Sequence, residues 1–121
     1  MKDSTLFRGK LDLTHKIEGF RMTRATGIPN AIGIRHAGNT LSHLGIFDND
    51  LLVIKPETEY ETGDNKLYVL DTPNGKTAKF VESAGDENSI TLTNKAGWRQ
   101  TWQIAEVTCI GVVIRVERDF V

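Results

Sequence analysis

A mainly β domain is the fold class this sequence predicts, and three observations carry the prediction. Short segments rich in Val, Ile, Leu and Thr recur along the chain, about seven in all, with turn residues roughly every ten positions. Helical periodicity is almost absent, and no internal repeat or low-complexity stretch stands out. Asn74-Gly75, set between two such segments, is a dipeptide in which both residues tolerate positive φ, a strong hairpin signal. The 121 residues are enough for one domain with its own core.

Residues 1–30 predict an N-terminal arm or edge segment. Leu6, Leu11, Leu13 and Ile17 are scattered among charges there, and Gly19, Gly27 and Pro29 interrupt any period. The β domain then spans 31–121. Ala31-Ile32-Gly33-Ile34-Arg35 alternates as a strand does, placing Ile32 and Ile34 on one face. Leu51-Leu52-Val53-Ile54 is too short for a helix and suits a strand buried on both faces. Pro56 and the acidic Glu57, Glu59 and Glu61 lead into a solvated loop closing at Gly63-Asp64. Leu67-Tyr68-Val69-Leu70 and Thr77-Ala78-Lys79-Phe80-Val81 form the arms of the hairpin. Gly85-Asp86-Glu87-Asn88 turns the chain into a strand at Ser89-Ile90-Thr91-Leu92-Thr93, and Trp98 and Trp102 flank a polar segment. Val107 to Val116 is the longest apolar run, with Gly111 marking a bulge or a close backbone approach.

Charge balance narrows the functional classes. Fifteen basic residues against sixteen acidic ones give a net charge of -1, without the basic excess of a sequence-independent DNA grip, so no direct DNA binding is expected. The lone cysteine, Cys109, rules out an internal disulfide and reads as a buried core thiol in a reducing compartment. The N-terminus lacks the apolar core of a signal peptide and no run approaches membrane-spanning length, so the expected location is cytoplasmic, with no membrane partner. The three histidines and the single cysteine show no metal-ligand spacing, and no cofactor is implied.

Around the core strand the pattern becomes more specific. Gly38-Asn39-Thr40-Leu41 precedes Gly45-Ile46-Phe47-Asp48-Asn49-Asp50-Leu51-Leu52. Gly63-Asp64 follows, then Lys79 within its strand, Asn94 after a strand, and the closing run Ile110 to Val116. In order and spacing, over roughly residues 31–118, this resembles the LexA/UmuD family of self-cleaving Ser/Lys peptidases. That family carries Gly-Asp-Ser-Met, then a Gly-Asp or Asp-Gly-Asp turn, then a Leu-Val/Ile-rich strand. The resemblance implies the compact, bent antiparallel sheets of the LexA-like C-terminal peptidase fold. It also implies Thr40 at the nucleophile position and Lys79 as the dyad lysine. The layout is closest to UmuD, because 39 residues precede Thr40, too few for the helix-turn-helix domain that repressors of the family carry in front.

In a Ser/Lys dyad, a lysine held in an apolar setting loses its charge near neutral pH, and its amine becomes the general base toward a hydroxyl. On a strand, Lys79 shares its face with Thr77 and Val81 while Ala78 and Phe80 point the other way. Taken alone, a strand lysine is an ordinary surface residue; the flanking match gives this one its role. Thr40 departs from the family. Its hydroxyl can attack a carbonyl, but the extra methyl restricts χ1 and crowds the approach. Ser42 lies two residues beyond the family position, and His36 and His43 lack a recognisable third orienting group, so these three read as ordinary polar residues. Thr40 and Lys79 are expected within side-chain reach of each other.

Family members cut their own chain at an Ala-Gly or Cys-Gly bond well upstream of the nucleophile. Here the upstream Xaa-Gly bonds are Arg8-Gly9, Glu18-Gly19, Thr26-Gly27, Ile32-Gly33 and Ala37-Gly38, and the last belongs to the nucleophile turn itself. The chain thus lacks both the usual attacker and the usual target, and weak or absent self-cleavage is expected. Two functions follow from the resemblance. One is a UmuD-like subunit of the DNA-damage (SOS) response, a homodimer with a translesion polymerase and a recombinase filament as partners. The alternative is a non-cleaving dimerisation or interaction module related to phage-type or LexA-like repressors.

Overall fold

The computed structural model describes residues 20–22 and 30–118. Eight antiparallel strands run in chain order: β1 Phe20–Met22, β2 Ile32–Arg35, β3 Leu51–Pro56, β4 Tyr68–Thr72, β5 Gly75–Ser83, β6 Ser89–Thr93, β7 Arg99–Gln103 and β8 Thr108–Glu117. Side by side they take the order β1-β2-β3-β8-β4-β5-β6-β7. Among the described residues helix is confined to two 3₁₀ turns, Ser42–Leu44 and Ile104–Glu106. The mainly β expectation holds.

Alternation and apolar continuity explain the strands. Leu52, Val53 and Ile54 are wholly buried in β3, with β2 and β8 paired on its two edges and Leu52 and Ile54 packed in an apolar cluster with Ile34 and Val69. β8, the most apolar run, lies between β3 and β4 and carries two bulges. Ile114 is the extra residue opposite Val53 and Ile54, and Ile110 is the extra residue opposite Val69 and Leu70. Between them sits Gly111. A Cβ built there would lie 2.4 Å from Ile54 Cγ2 and 2.5 Å from the Lys55 carbonyl oxygen, so the close approach expected from its position is real.

The hairpin forms where expected, but by different turn chemistry. Thr72 pairs with Gly75, so Pro73 and Asn74 are the loop residues, and of the Asn74-Gly75 pair only Gly75 adopts positive φ, at 108°. Thr72 supplies the closure: its Oγ1 donates to the Gly75 carbonyl at 2.8 Å and accepts from the Asn74 N–H at 3.1 Å. The polar segment between the tryptophans is also a strand, β7. Its residues alternate exposed and half-buried, with Gln100 and Trp102 turned inward, a period of two carried by few apolar residues.

Two apolar clusters fill the molecule. Ile34, Leu41, Leu52, Ile54 and Val69 belong to one; Leu70, Val81, Ile90 and Leu92 belong to the other. Strand β5 joins them. Gly75 to Lys79 pair with β4, whereas Phe80 to Ser83 pair with β6, so the strand passes from one half of the sheet to the other between Lys79 and Phe80. β1, within the expected N-terminal segment, pairs with β2. Leu6, Leu11, Leu13 and Ile17, like the Arg8-Gly9, Glu18-Gly19 and Thr26-Gly27 bonds, lie outside the described residues.

Candidate functional site

Thr40 stands on the loop between β2 and the first 3₁₀ turn, and its side chain is exposed. The loop is held from below. Leu41, next to the threonine, is wholly buried in the first apolar cluster. The Gly38 N–H donates to Asp48 Oδ1 at 2.8 Å, and the Thr40 carbonyl accepts from Asn94 Nδ2 at 2.8 Å. His36, just upstream, donates its backbone N–H to the Asp50 carbonyl at 2.8 Å and accepts from the Asn49 N–H at 2.7 Å. The loop thus closes on the Asp48-Asn49-Asp50 turn, where Asn49 takes a φ of 72°.

Asp50 is the anchor of that turn. Its carboxylate is buried, accepts the Phe47 N–H at 2.8 Å, and is gripped by Arg118 through Nε at 2.7 Å and Nη2 at 2.6 Å. The hydrogen bonds from Arg118 hold the Asp50 carboxyl at a pKa of about 2, below its ordinary 3.8.

Lys79 is 5% exposed at the point where β5 crosses between the two halves of the sheet. Its Nζ lies 4.5 Å from the centroid of the Trp98 ring and donates to Thr77 Oγ1 at 2.5 Å. Thr77 therefore shares the lysine's face, as strand alternation requires. Burial lowers the Lys79 pKa from 10.5 to about 8. That is the property a lysine general base needs, since an appreciable fraction of the amine is free just above neutral pH. Among the described residues no hydrogen bond joins Lys79 to Thr40; what links their surroundings is the 94–98 turn, which holds the Thr40 carbonyl through Asn94 and carries Trp98.

His36 is also buried, and its Nε2 has no hydrogen-bond partner among the described residues. Burial lowers its pKa below 6.5, and the positive charge of Lys79 lowers it further, against smaller upward contributions from Asp48 and Asp50. Of two neighbouring bases the imidazole is the weaker, so it is the one that gives up its proton. His43 is exposed, with Nε2 2.6 Å from the Asn94 carbonyl, and Ser42 opens the 3₁₀ turn with its side chain in solvent.

A groove beside Thr77, lined also by Trp98, Gln100 and Trp102, encloses about 210 Å³. Small-molecule sites usually offer some 300–1,000 Å³, so this space suits one or two side chains of a peptide. A roomier cleft of about 480 Å³ lies elsewhere, around Lys55, Tyr60 and Tyr68. Its phenol at Tyr68 is held by burial and by donation to Asp64 at a pKa of about 12, which makes it a poor base. The smaller groove is lined by Thr77 and Trp98, the two residues that Lys79 Nζ contacts.

Strand alternation placed Thr77 beside Lys79, and the motif match gave the positions of Thr40 and Asn94. The ring of Trp98, the burial of His36 and the reach of Arg118 to Asp50 had no local signal. Asp50 reads as one more turn residue, and its partner lies 68 positions away.

The class that fold and site define is a mainly β domain in which one turn, 94–98, holds the Thr-bearing loop and covers a desolvated lysine. No protein-family model matches the chain. Among curated proteins, 94 residues align at 27% identity with the LexA repressor of Moorella thermoacetica, covering 78% of this chain and 44% of the repressor. The chain spans less than half the length of that relative. The match supports a LexA-like family and agrees with the β fold; it does not single out a UmuD-like branch.

Proposed function

We propose that this chain is a LexA/UmuD-like peptidase-fold subunit in which Thr40 occupies the nucleophile position, Lys79 is the general base, and self-cleavage is slow or lost. The observation that carries the reading is the Lys79 amine, buried in an aromatic setting and brought down to a pKa of about 8. An ordinary strand lysine remains charged and in water. The exposed Thr40 side chain and the open space beside Gly38 leave a substrate carbonyl room to approach. Slowness follows from the secondary alcohol, and from a lysine whose hydrogen bond runs to Thr77.

The biological role we infer is UmuD-like: a homodimer serving the DNA-damage response together with a translesion polymerase and a recombinase filament. Ile114, exposed at the β8 bulge, is one apolar residue such a self-association would cover. The second reading, a non-cleaving interaction module of the repressor type, is favoured by the absence of a Thr40–Lys79 hydrogen bond among the described residues.

Incubating the purified protein from pH 7 to pH 10 and measuring its mass decides the chemistry. Thr40→Ser and Lys79→Met are run beside it, with a peptide containing an Ala-Gly bond supplied in trans. Slow cleavage of the peptide by Thr40→Ser, rising through pH 8 and absent in Thr40→Ser/Lys79→Met, is expected. No cleavage by any variant sinks the peptidase reading and leaves the interaction module.

A further inference from the structure

The geometry points to Asn94 as the positioning residue of this site: one side chain that fixes both the loop bearing Thr40 and the indole that covers the Lys79 amine. The inference rests on reading Thr40 and Lys79 as parts of a single site. Asn94 follows β6, is 5% exposed, and engages both polar atoms of its amide. Oδ1 accepts two backbone N–H groups of the turn that follows, Ala96 at 2.8 Å and Trp98 at 3.0 Å. Nδ2 donates across the molecule to the Thr40 carbonyl at 2.8 Å. The Asn94 N–H donates to the Trp98 carbonyl at 3.2 Å, and its own carbonyl lies 2.6 Å from His43 Nε2. With two N–H donors on one side of the amide and a carbonyl on the other, the orientation of Oδ1 and Nδ2 is forced.

The acceptor half alone would be an ordinary turn device, of the kind asparagine and aspartate form at many turns. The donor half is different, because it spans 54 positions of sequence to the residue at the nucleophile position. His43, three residues beyond Thr40, fastens the same loop to the same asparagine. Trp98, held at both its N–H and its carbonyl by Asn94, is the residue whose ring lies against Lys79 Nζ. Hydroxyl loop and amine cover are therefore set by one residue. No other side chain repeats this: aspartate offers no donor to the carbonyl, serine is too short, and glutamine carries the amide one methylene too far.

Amide hydrogen exchange on the full chain, followed by NMR, tests the loop half. Within the loop, Leu44 donates to the Leu41 carbonyl at 2.9 Å, Gly45 to the Ser42 carbonyl at 2.9 Å, and Ile46 to the Leu41 carbonyl at 3.3 Å. Asn94→Asp keeps both acceptor bonds of the turn and loses only the donor to Thr40. These three amides should then exchange roughly tenfold faster while β3 and β8 hold their protection. His43→Ala, at an exposed position that leaves the core intact, should speed the same amides roughly threefold. The amine half is read from the titration of Lys79 itself. Asn94→Ala frees Trp98, and the midpoint should climb from about 8 toward 10.5, which a residue serving stability alone would not cause. Unchanged exchange in the loop overturns the proposal, as does equal loss of protection in every strand or a fixed Lys79 midpoint. Neither readout requires a bond to be cut. Failure of every variant to cut the supplied peptide thus refutes the peptidase reading, while these rates and this midpoint judge Asn94.

Discussion

Arg118 closes on Asp50 with two parallel hydrogen bonds, Nε to Oδ1 at 2.7 Å and Nη2 to Oδ2 at 2.6 Å, and so ties the chain just beyond β8 to the turn ahead of β3. The same guanidinium also donates to the Gly45 carbonyl at 3.0 Å and lies over the ring of Phe47. One side chain therefore closes the far end of the loop that begins at His36.

Removing that clamp should weaken the protein in full above pH 3.8 and progressively less in stronger acid. With its carboxyl held near 2 instead of 3.8, Asp50 contributes stability that is present above pH 3.8 and lost as pH falls through 2. Arg118→Ala leaves a buried carboxylate without its partner and raises its pKa. The melting temperature at pH 7 should fall, and the deficit against wild type should narrow as pH drops from 3.8 to 2. Thermal melts followed by circular dichroism from pH 2 to pH 7 measure it, and a deficit that stays constant down to pH 2 would refute the role given to the pair.

Lys79→Met should stabilise the fold by removing a buried amine. The folded-state pKa is lowered from 10.5 to about 8, so the penalty for the buried charge is present in full below pH 8 and vanishes as pH rises to 10.5. On the order of 2–3 kcal/mol should be gained at pH 7, once the lost contact with the Trp98 ring is allowed for. Urea titrations at pH 7 and pH 10.5 check the sign, because the gain must shrink at the higher pH.

His36 gives an opposite test in mild acid. Its pKa is lowered by burial and by Lys79, with Asp48 and Asp50 acting upward. Above pH 6.5 it is neutral folded or unfolded; as pH drops below 6.5 the unfolded chain takes up the proton first and stability falls. His36→Leu, which also removes the unpartnered Nε2, should flatten the stability profile between pH 6.5 and pH 5. A parallel downward slope in wild type and variant would mean that another group titrates there.

Gly111→Ala tests packing alone. Its new methyl would meet Ile54 Cγ2 at 2.4 Å and the Lys55 carbonyl oxygen at 2.5 Å, and the second of these is backbone of a paired strand. A loss of about 1–3 kcal/mol is expected from forced movement of β3 against β8, seen as a lower urea midpoint with unchanged slope.

Legibility in the sequence followed the range of each interaction. The β3 strand, the hairpin, the β6 strand and the long final strand are written in runs of neighbouring residues, so local pattern was enough to find them. β7 escaped because Arg99, Gln100, Thr101 and Gln103 are polar and only Trp102 marks its inner face. The hairpin turn was located correctly and explained wrongly, since the closure comes from the Thr72 hydroxyl and not from positive φ at Asn74. At the site, the motif match singled out Thr40 and Lys79, and alternation placed Thr77 beside Lys79. Asp50 with Arg118, Asn94 with Thr40, and Lys79 with Trp98 are pairs made by the fold, which no window of adjacent residues displays.

The order in which the chain is synthesised gives these pairs a temporal meaning. The loop carrying Thr40 leaves the ribosome first, while Lys79, Asn94 and Arg118 follow one after another and β3 must await β8 for its second edge. Contacts of such long sequence separation form late and slowly. The loop around Thr40 is therefore fully anchored only when nearly the whole described chain has been made, so a nascent polypeptide passes through synthesis with this hydroxyl in place and the side chains that fix its loop still to come.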